Sequence, residues 1–271
     1  MTQPAVSLQI RSLEQRLGTQ LLDRSGRRVE PTEAGRRLYA SAQRMLALEA
    51  QLLDDVVGEE DTLTGTLELG ASTGPGGSVV PVLLCEFGAA NPGVRVRLSV
   101  SDTQSVVDRV AERELELGIV GAARRHRGVL FEPFFRDEVV LACPSGHRFA
   151  GKTVSLDDLR DEPLLVMQEG AGVRQVIEDA LRGAGARLRD LDVRLELGLQ
   201  ESVRSAVAAG HGVTFISRTA IDADVAAGTI ATARVRGLDP AREIFLVRSS
   251  GRAETRAAQA FVAFARARLP R

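Results

Sequence analysis

Cysteine and histidine are scarce in this chain. Cys85 and Cys143 stand far apart with no partner motif beside either, so a disulfide framework is excluded. Buried thiols in a reducing compartment are expected, with redox sensing as the minor alternative. His126, His147 and His211 are isolated, without metal-ligand spacing and without a cysteine partner, so they offer neither a metal centre nor a catalytic pair. The run from Gly74 to Gly77 lacks the Gly-Lys-Ser/Thr ending of a nucleotide phosphate loop. No reactive constellation remains, so neither enzymatic activity nor a cofactor is expected. No apolar run reaches membrane-spanning length and no charged-then-apolar leader opens the sequence, which points to a cytoplasmic protein away from membranes. Lysine is almost absent too: Lys152 is the only one among 35 basic residues, so arginine richness by itself does not signal DNA contact.

What is present is a chain of 271 residues, 44% hydrophobic, long enough for a small N-terminal module and a larger body. Its first stretch has Thr2 as a plausible N-cap and Pro4 where a missing N–H costs nothing. Val6, Ile10, Leu13 and Leu17 recur at helical spacing and define a buried face. Gln3, Ser7 and Arg11 fall on the opposite, wet side, where short polar groups suit base edges and phosphates. Residues 21–32 read as a hairpin turning at Ser25-Gly26, from which Arg24, Arg27 and Arg28 project. A long helix then runs from Thr32 to about Val57. Leu38, Ala42, Met45, Leu46, Leu48, Leu52, Leu53 and Val56 form a stripe on it broad enough for a second copy. Up to position 44 there are eight arginines against four acids, while the whole chain sums to −1. Asp54, Asp55, Glu59, Glu60 and Asp61 follow at once and confine the positive field to the segment that would meet phosphates.

The run from Gln3-Pro4-Ala5-Val6-Ser7 through Leu13-Glu14, Leu17-Gly18, Leu21-Leu22, Arg24, Arg28 and Pro31-Thr32-Glu33-Ala34-Gly35 resembles the winged helix-turn-helix of LysR-type transcriptional regulators. Two departures stand out. Family members carry about two further helices before this point, so an incomplete motif is expected. Leu8 occupies a position that is often long and polar or basic in the family. The resemblance implies that Gln3, Pro4 and Ser7 touch bases, that Arg24, Arg27 and Arg28 hold the backbone, and that Arg11 and Thr32 complete the DNA-binding set. The partner would be dyad-symmetric, double-stranded promoter DNA.

After residue 62 the pattern changes to strands alternating with helices. Expected elements include a strand at Thr66–Gly70, a helix at Val79–Ala90, strands at Arg95–Val100 and Leu117–Val120, and a strand at Glu138–Cys143 leading out of a first lobe. A second lobe follows, with Leu164–Met167, Val173–Gly183, Arg194–Leu197, Val203–Ala209 and Val213–Ile216; Glu243–Val247 and Glu254–Leu269 close the chain. The resemblance implies a two-lobed effector domain like bacterial solute-binding proteins, joined by two crossing strands near Ala142–Pro144 and Val235–Arg242. The expected fold is therefore α plus α/β: a partial winged helix-turn-helix over 1–34, a linker and dimerisation helix over 35–62, and an effector-binding domain over 63–271. Its lobe I covers about 63–142 and 240–271, and its lobe II about 143–239.

Two loops carry the chemistry. Ser72-Thr73-Gly74-Pro75-Gly76-Gly77 and Gln168-Glu169-Gly170-Ala171-Gly172 each follow a strand and open a helix, where backbone N–H groups and the helix dipole favour negative charge. Arg174 sits one step into the second helix, and Glu169 opposes an anion unless it pairs with Arg174. If the lobes face each other as implied, Ser72, Thr73, Thr103, Gly121, Gln168, Glu169, Arg174 and Ser202 line one cleft. The natural guest is a small anion or carboxylate. Caps and turns without any ligand remain the alternative for each loop. Asp157-Asp158 and Asp161-Glu162 read as a helix-start charge cluster, with a catalytic carboxylate pair a poor second. Ala71-Ser72-Thr73 and the strand end at Gly118–Ala122 look closest to regulators of sulfur or selenium assimilation. The resemblance further implies a homodimer through the linker helix and a homotetramer. The competing reading is a cytoplasmic ligand-binding oligomer that no longer grips DNA effectively.

Overall fold

The computed structural model describes residues 3–25, 29–39, 41, 42, 45, 46, 49, 63–251 and 254–269. The chain divides into two units, Met1–Glu59 and Glu60–Arg271.

In the first unit, helix α1 spans Gln3–Leu17. Strands β1 (Leu22–Asp23) and β2 (Glu30–Pro31) pair antiparallel, Leu22 opposite Pro31. Glu14 fastens helix to hairpin, because its Oε1 accepts the backbone N–H groups of Leu21 at 2.8 Å and Leu22 at 3.2 Å. Helix α2 opens at residue 33, and the described positions from there to 49 are helical. Thr32 caps it: Oγ1 accepts the N–H of Gly35 at 3.0 Å and donates to the Gln20 carbonyl at 2.7 Å. Gly35 marks the closest approach, since a Cβ there would stand 2.0 Å from the Leu21 carbonyl oxygen.

The face expected to be buried on α1 is only partly covered. Ile10 and Leu13 are half-buried, but Val6 is 39% and Leu17 50% exposed. Among the described residues of this unit only Leu21 and Gly35 are fully buried, so the hairpin and the start of α2 cover the middle of α1 and leave both its ends open.

The second unit is built on a ten-stranded sheet. Strands β3 (Gly65–Ser72), β4 (Val94–Ser101) and β5 (Leu117–Val120) run parallel with β3 between the other two. Strand β12 (Ala241–Ser249) lies antiparallel to β5 and to the first half of β6 (Val129–Pro144). The second half of β6 changes partners and pairs with β10 (Val213–Ser217) and β11 (Ile230–Val235). Strands β8 (Leu164–Met167) and β9 (Val193–Leu197) extend the sheet beyond β10, and β7 (Thr153–Val154) pairs with β11.

Two three-layer lobes result. In lobe I, α4 (Val79–Ala90) and α9 (Arg256–Arg266) cover one face, where Phe87 meets Phe261 and Phe264 edge to face at 5.4 and 5.5 Å. Helix α5 (Thr103–Ala111) covers the other through Val106, Val107 and Val110. In lobe II, α6 (Gly172–Gly183) packs on Val139, Leu141 and Cys143 of β6. Helices α7 (Gln200–Ala208) and α8 (Asp222–Ala226) lie on the side of Val140 and Ala142. The period-two alternation of β6 thus feeds two cores at once.

Four expectations need correction. Strand β6 begins at Val129, not Glu138, and it changes lobes between Glu138 and Val139, before the expected Ala142–Pro144. Pro133 disguised its first half, because a proline inside a strand argues against it. The structure places a bulge there, with Pro133 and Phe135 pairing and Phe134 between them. Helix α7 starts three residues earlier than expected, at Gln200. Cys85 is exposed while Cys143 is buried, because α4 turns Val80, Leu83, Leu84 and Phe87 to the core and Cys85 away from it. No helix among the described residues is long and apolar enough to cross a membrane.

Candidate functional site

The parallel strands of both lobes end at one cleft. In lobe I, β3 ends at Ser72, β4 at Ser101 and β5 at Val120; in lobe II, β8 ends at Met167, β9 at Leu197 and β10 at Ser217. Crevices outside the carboxyl ends of parallel strands are where α/β folds bind ligands. Side chains bridge the two sides. Ser217 Oγ of lobe II donates to Asp137 Oδ1 of lobe I at 2.5 Å, and Thr219 Oγ1 lies 3.4 Å from Ser78 Oγ.

Arg242, at the start of β12, meets residues of both lobes here. Its Nε donates to Asp137 Oδ2 at 2.9 Å, and the two side chains are only 9% and 3% exposed. Its guanidinium lies against three glycines from three loops. A Cβ on Gly172 would come within 2.7 Å of Nη1, one on Gly121 within 3.3 Å, and one on Gly74 within 3.0 Å of Nη2. Gly74 and Gly121 belong to lobe I and Gly172 opens α6 in lobe II, so one cation is held between backbone segments of both lobes.

Of the expected effector residues, Gly121 lies against this guanidinium, Ser72 is bonded to Gly121, and Thr73 directly precedes Gly74. Ser72 is buried and its Oγ accepts the Gly121 N–H at 3.1 Å, which ties the two together. Thr73 is exposed and opens a single helical turn, α3 (Thr73–Gly76). Thr103 is half-buried at the start of α5, whose cap is Asp102. Hydrogen bonds from the Ser105 hydroxyl and N–H hold the Asp102 carboxyl below the usual carboxylate range. Gln168 and Glu169 are exposed in the loop before α6, and Gln168 Oε1 would stand 3.0 Å from a Cβ on Gly198.

Arg174 does not pair with Glu169. Its Nε bonds Glu178 at 2.9 Å, and its Nη1 bonds Glu196 at 2.7 Å and the Met167 carbonyl at 3.0 Å. Glu178 first and Glu196 second raise its pKa, so its charge is already committed. Ser202 is exposed on the first turn of α7, whereas Gln200 is buried there and its Nε2 has no hydrogen-bond partner. Sequence reasoning missed Gln200, Arg242 and Asp137. The available signal for Arg242 was a lone basic residue opening the apolar run Ile244–Val247, inside the expected crossing.

On the first unit, Pro4 and Arg11 of α1 are exposed and Ser7 is half-buried. Arg24 is exposed and lies 3.8 Å from Glu14. Thr32 spends its hydroxyl on capping α2. The side chain of Gln3, and Arg27 and Arg28, lie outside the described residues, as do Leu48, Leu52, Leu53 and Val56 of the expected dimer stripe. Met45 and Leu46 of that stripe are 73% and 60% exposed. Among the described residues no cluster of His, Cys, Asp and Glu could hold a metal ion. Asp158 accepts from the Ser155 N–H and hydroxyl, both at 2.7 Å, and so serves as a turn cap.

Comparison with known proteins bears on the fold and the family. Residues 60–270 match the LysR substrate binding domain, and residues 1–36 match the bacterial regulatory helix-turn-helix of the lysR family. The chain is 31% identical over 265 residues to a probable RuBisCO transcriptional regulator of Cyanophora paradoxa, covering 96% of this chain and 82% of that protein. It is 36% identical over 206 residues to a phosphonates import ATP-binding protein, PhnC, of Anaeromyxobacter dehalogenans; that match covers 76% of this chain and spans only 41% of the relative. Full-length CbnR complexed with its target DNA shares the fold, with a TM-score of 0.69 at 23% identity over 98% of this chain and 90% of that one. So does the Synechocystis PCC6803 CcmR regulatory domain in complex with 2-PG, with a TM-score of 0.64 at 24% identity over 77% of this chain and all of that one.

Proposed function

Since the chain belongs to the LysR family of non-enzymatic, DNA-binding transcriptional regulators with an effector-binding domain, we propose that its hold on promoter DNA is set by a small anionic effector taken between the two lobes. The observation that carries the anionic character is the start of α6. It has neither a side-chain cap nor an acidic residue in its first turn, and the guanidinium of Arg242 stands against it. A helix N-terminus and an arginine together favour an oxyanion. Ser72, Thr73, Thr103, Gly121 and Gln168 would surround that guest with hydroxyls and amides.

On the DNA side, Gln3, Pro4, Ser7 and Arg11 would meet base edges and nearby phosphates in the major groove. Arg24, Arg27, Arg28 and Thr32 would hold the backbone. Two chains would pair through α2, whose Met45 and Leu46 are open to a partner, and pairs would assemble into tetramers in the cytoplasm. Effector binding would shift an existing balance of lobe and subunit arrangements, and with it the spacing of the DNA-binding pairs.

The test is a gel shift with the chain's own promoter region at low salt, titrated with 2-PG and with shikimate, the ligands in two solved structures that share the fold. A shifted band whose midpoint moves with an anionic ligand is expected, and its loss on raising salt would reflect phosphate contacts. The open ends of α1 at Val6 and Leu17 favour a second reading, an effector-binding oligomer with a weak grip on DNA. Absence of any shift at low salt would select it.

A further inference from the structure

The helices that start at the interlobe cleft are neutralised unequally. Helix α5 has Asp102 as its cap, and α7 carries Glu201 in its first turn. Helix α6, twelve residues long, has no acidic residue in its first turn and no side-chain cap, and the Glu196 carboxylate near its start is taken by Arg174. What faces it is Arg242, a second positive group. Asp137 balances Arg242 from the Nε side, and an oxyanion at Nη1 and Nη2 would be favoured by the guanidinium and the helix start together.

The guanidinium is fixed at one end and open at the other. Asp137 holds Nε, whereas among the described residues neither Nη1 nor Nη2 has a protein hydrogen-bond partner and neither is sealed from solvent, so both can meet a guest. Asp137 cannot serve them as well, because its other oxygen accepts from Ser217 of lobe II. Thr219 Oγ1 lies 3.0 Å from Ser217 Oγ and 3.4 Å from Ser78 Oγ, and Ser78 donates to the Gly74 carbonyl at 3.0 Å. This path runs from Arg242 through both lobes and returns to Gly74, one of the glycines on which the guanidinium rests.

Resting on the effector-site reading above, we propose that Arg242 is the residue that reads the effector's charge. It takes one oxyanionic group, a carboxylate or a phosphoryl group, on Nη1 and Nη2 while Nε stays on Asp137. Two N–H donors side by side match two oxygens of such a group, a geometry that a lysine cannot reproduce. Because Gly172 of lobe II lies against the same guanidinium, an anion held there would be in reach of both lobes. Glycine at 172 is a condition of that contact, since a methyl group there would sit 2.7 Å from Nη1.

The experiment titrates the full chain with inorganic phosphate, sulfate and acetate at constant ionic strength set by chloride, following affinity by calorimetry and melting temperature by circular dichroism. The wild-type chain should bind at least one of the three. Arg242→Gln should lose at least tenfold in affinity, Arg242→Lys should fall between the two, and Gly172→Ala should weaken binding with Arg242 intact. Preference for acetate over phosphate identifies a carboxylate reader, and the reverse identifies a phosphoryl reader. Wild-type affinity in Arg242→Gln, or no binding of any of the three anions to the wild type, overturns the assignment. If Arg242→Gln does not fold, the pair Asp137→Asn with Arg242→Gln removes both charges together, and wild-type affinity in that pair overturns it equally. The two readings fail separately. Phosphate held by Arg242 in a chain whose gel shift answers no effector would sink the regulatory reading and leave Arg242 standing.

Discussion

Removing the Asp137 carboxylate tests the structural core of the cleft. The residue is 2% exposed, and among the described residues its carboxylate is the only hydrogen-bond partner of the Arg242 side chain, which is itself 9% exposed. In Asp137→Ala the guanidinium stays buried with an uncompensated charge, and breaking a buried pair from one side costs about 3–5 kcal/mol. The Ser217 hydroxyl loses its acceptor as well. With a urea slope of about 2 kcal/mol per molar, the unfolding midpoint should fall by about 1.5–2.5 M. The chain has no tryptophan, so far-UV circular dichroism is the suitable probe. Asp137→Asn keeps one acceptor oxygen and should lose less, about 1–3 kcal/mol. Combining Asp137→Ala with Arg242→Met removes both charges and should recover most of the loss, because an apolar pair of similar volume is often neutral. An Asp137→Ala midpoint indistinguishable from wild type would refute the reasoning, as would a double variant less stable than the single one.

Arg174→Ala should leave anion affinity within about twofold of wild type and cost about 0–1 kcal/mol, the range for partly exposed ion pairs; its partners Glu178 and Glu196 are 32% and 50% exposed. A large loss of anion binding in calorimetry would return Arg174 to the site. Burial, with a smaller push from Glu162, raises the Cys143 thiol to about 11, so a thiol reagent at pH 8 should modify only Cys85 in the folded chain and both cysteines in denaturant. Two fast thiols in the folded chain would contradict that. The Leu21 N–H, then that of Leu22, holds the Glu14 carboxyl below its usual value. Its contribution is therefore present above the unfolded carboxyl range and lost as pH falls through the lower folded value. Amide exchange at Leu21 and Leu22 should accelerate in that acid window, and in Glu14→Gln it should show no such step.

Legibility from the sequence followed the strength of the periodic signal. Elements with dense branched or aliphatic residues coincide with the structure: α4 at Val79–Ala90, β5 at Leu117–Val120 and β8 at Leu164–Met167 keep their expected bounds. Strand β11, Ile-Ala-Thr-Ala-Arg-Val, carries short side chains in its middle and gave no strand signal, although it pairs with the lobe II half of β6. The start of α7 was hidden for a related reason, because Gln200, Glu201 and Ser202 are polar and only the fold buries the first of them. The face of α1 shows the opposite limit. Helical spacing identifies which residues share a side, but whether that side is covered depends on what else the unit supplies.

The same limit explains why Arg174 stood out and Arg242 did not. Reading along the chain, Arg174 is the basic residue nearest an anion-friendly helix start, and proximity in sequence recommends it. The helix itself argues otherwise: a cation in the first turn sits at the positive end of the dipole, where acidic groups are stabilised and basic ones are not. Arg174 accordingly reaches back to Glu178 one turn later and across to Glu196 on β9. A cation that is to share an anion with a helix start is better supplied by another element and held there by a buried carboxylate. Arg242 meets both conditions, lying on a strand some seventy positions later and anchored through Nε by Asp137. No sequence spacing encodes that meeting; it exists because β6 and β12 lie side by side, bringing Asp137 opposite Arg242 in register.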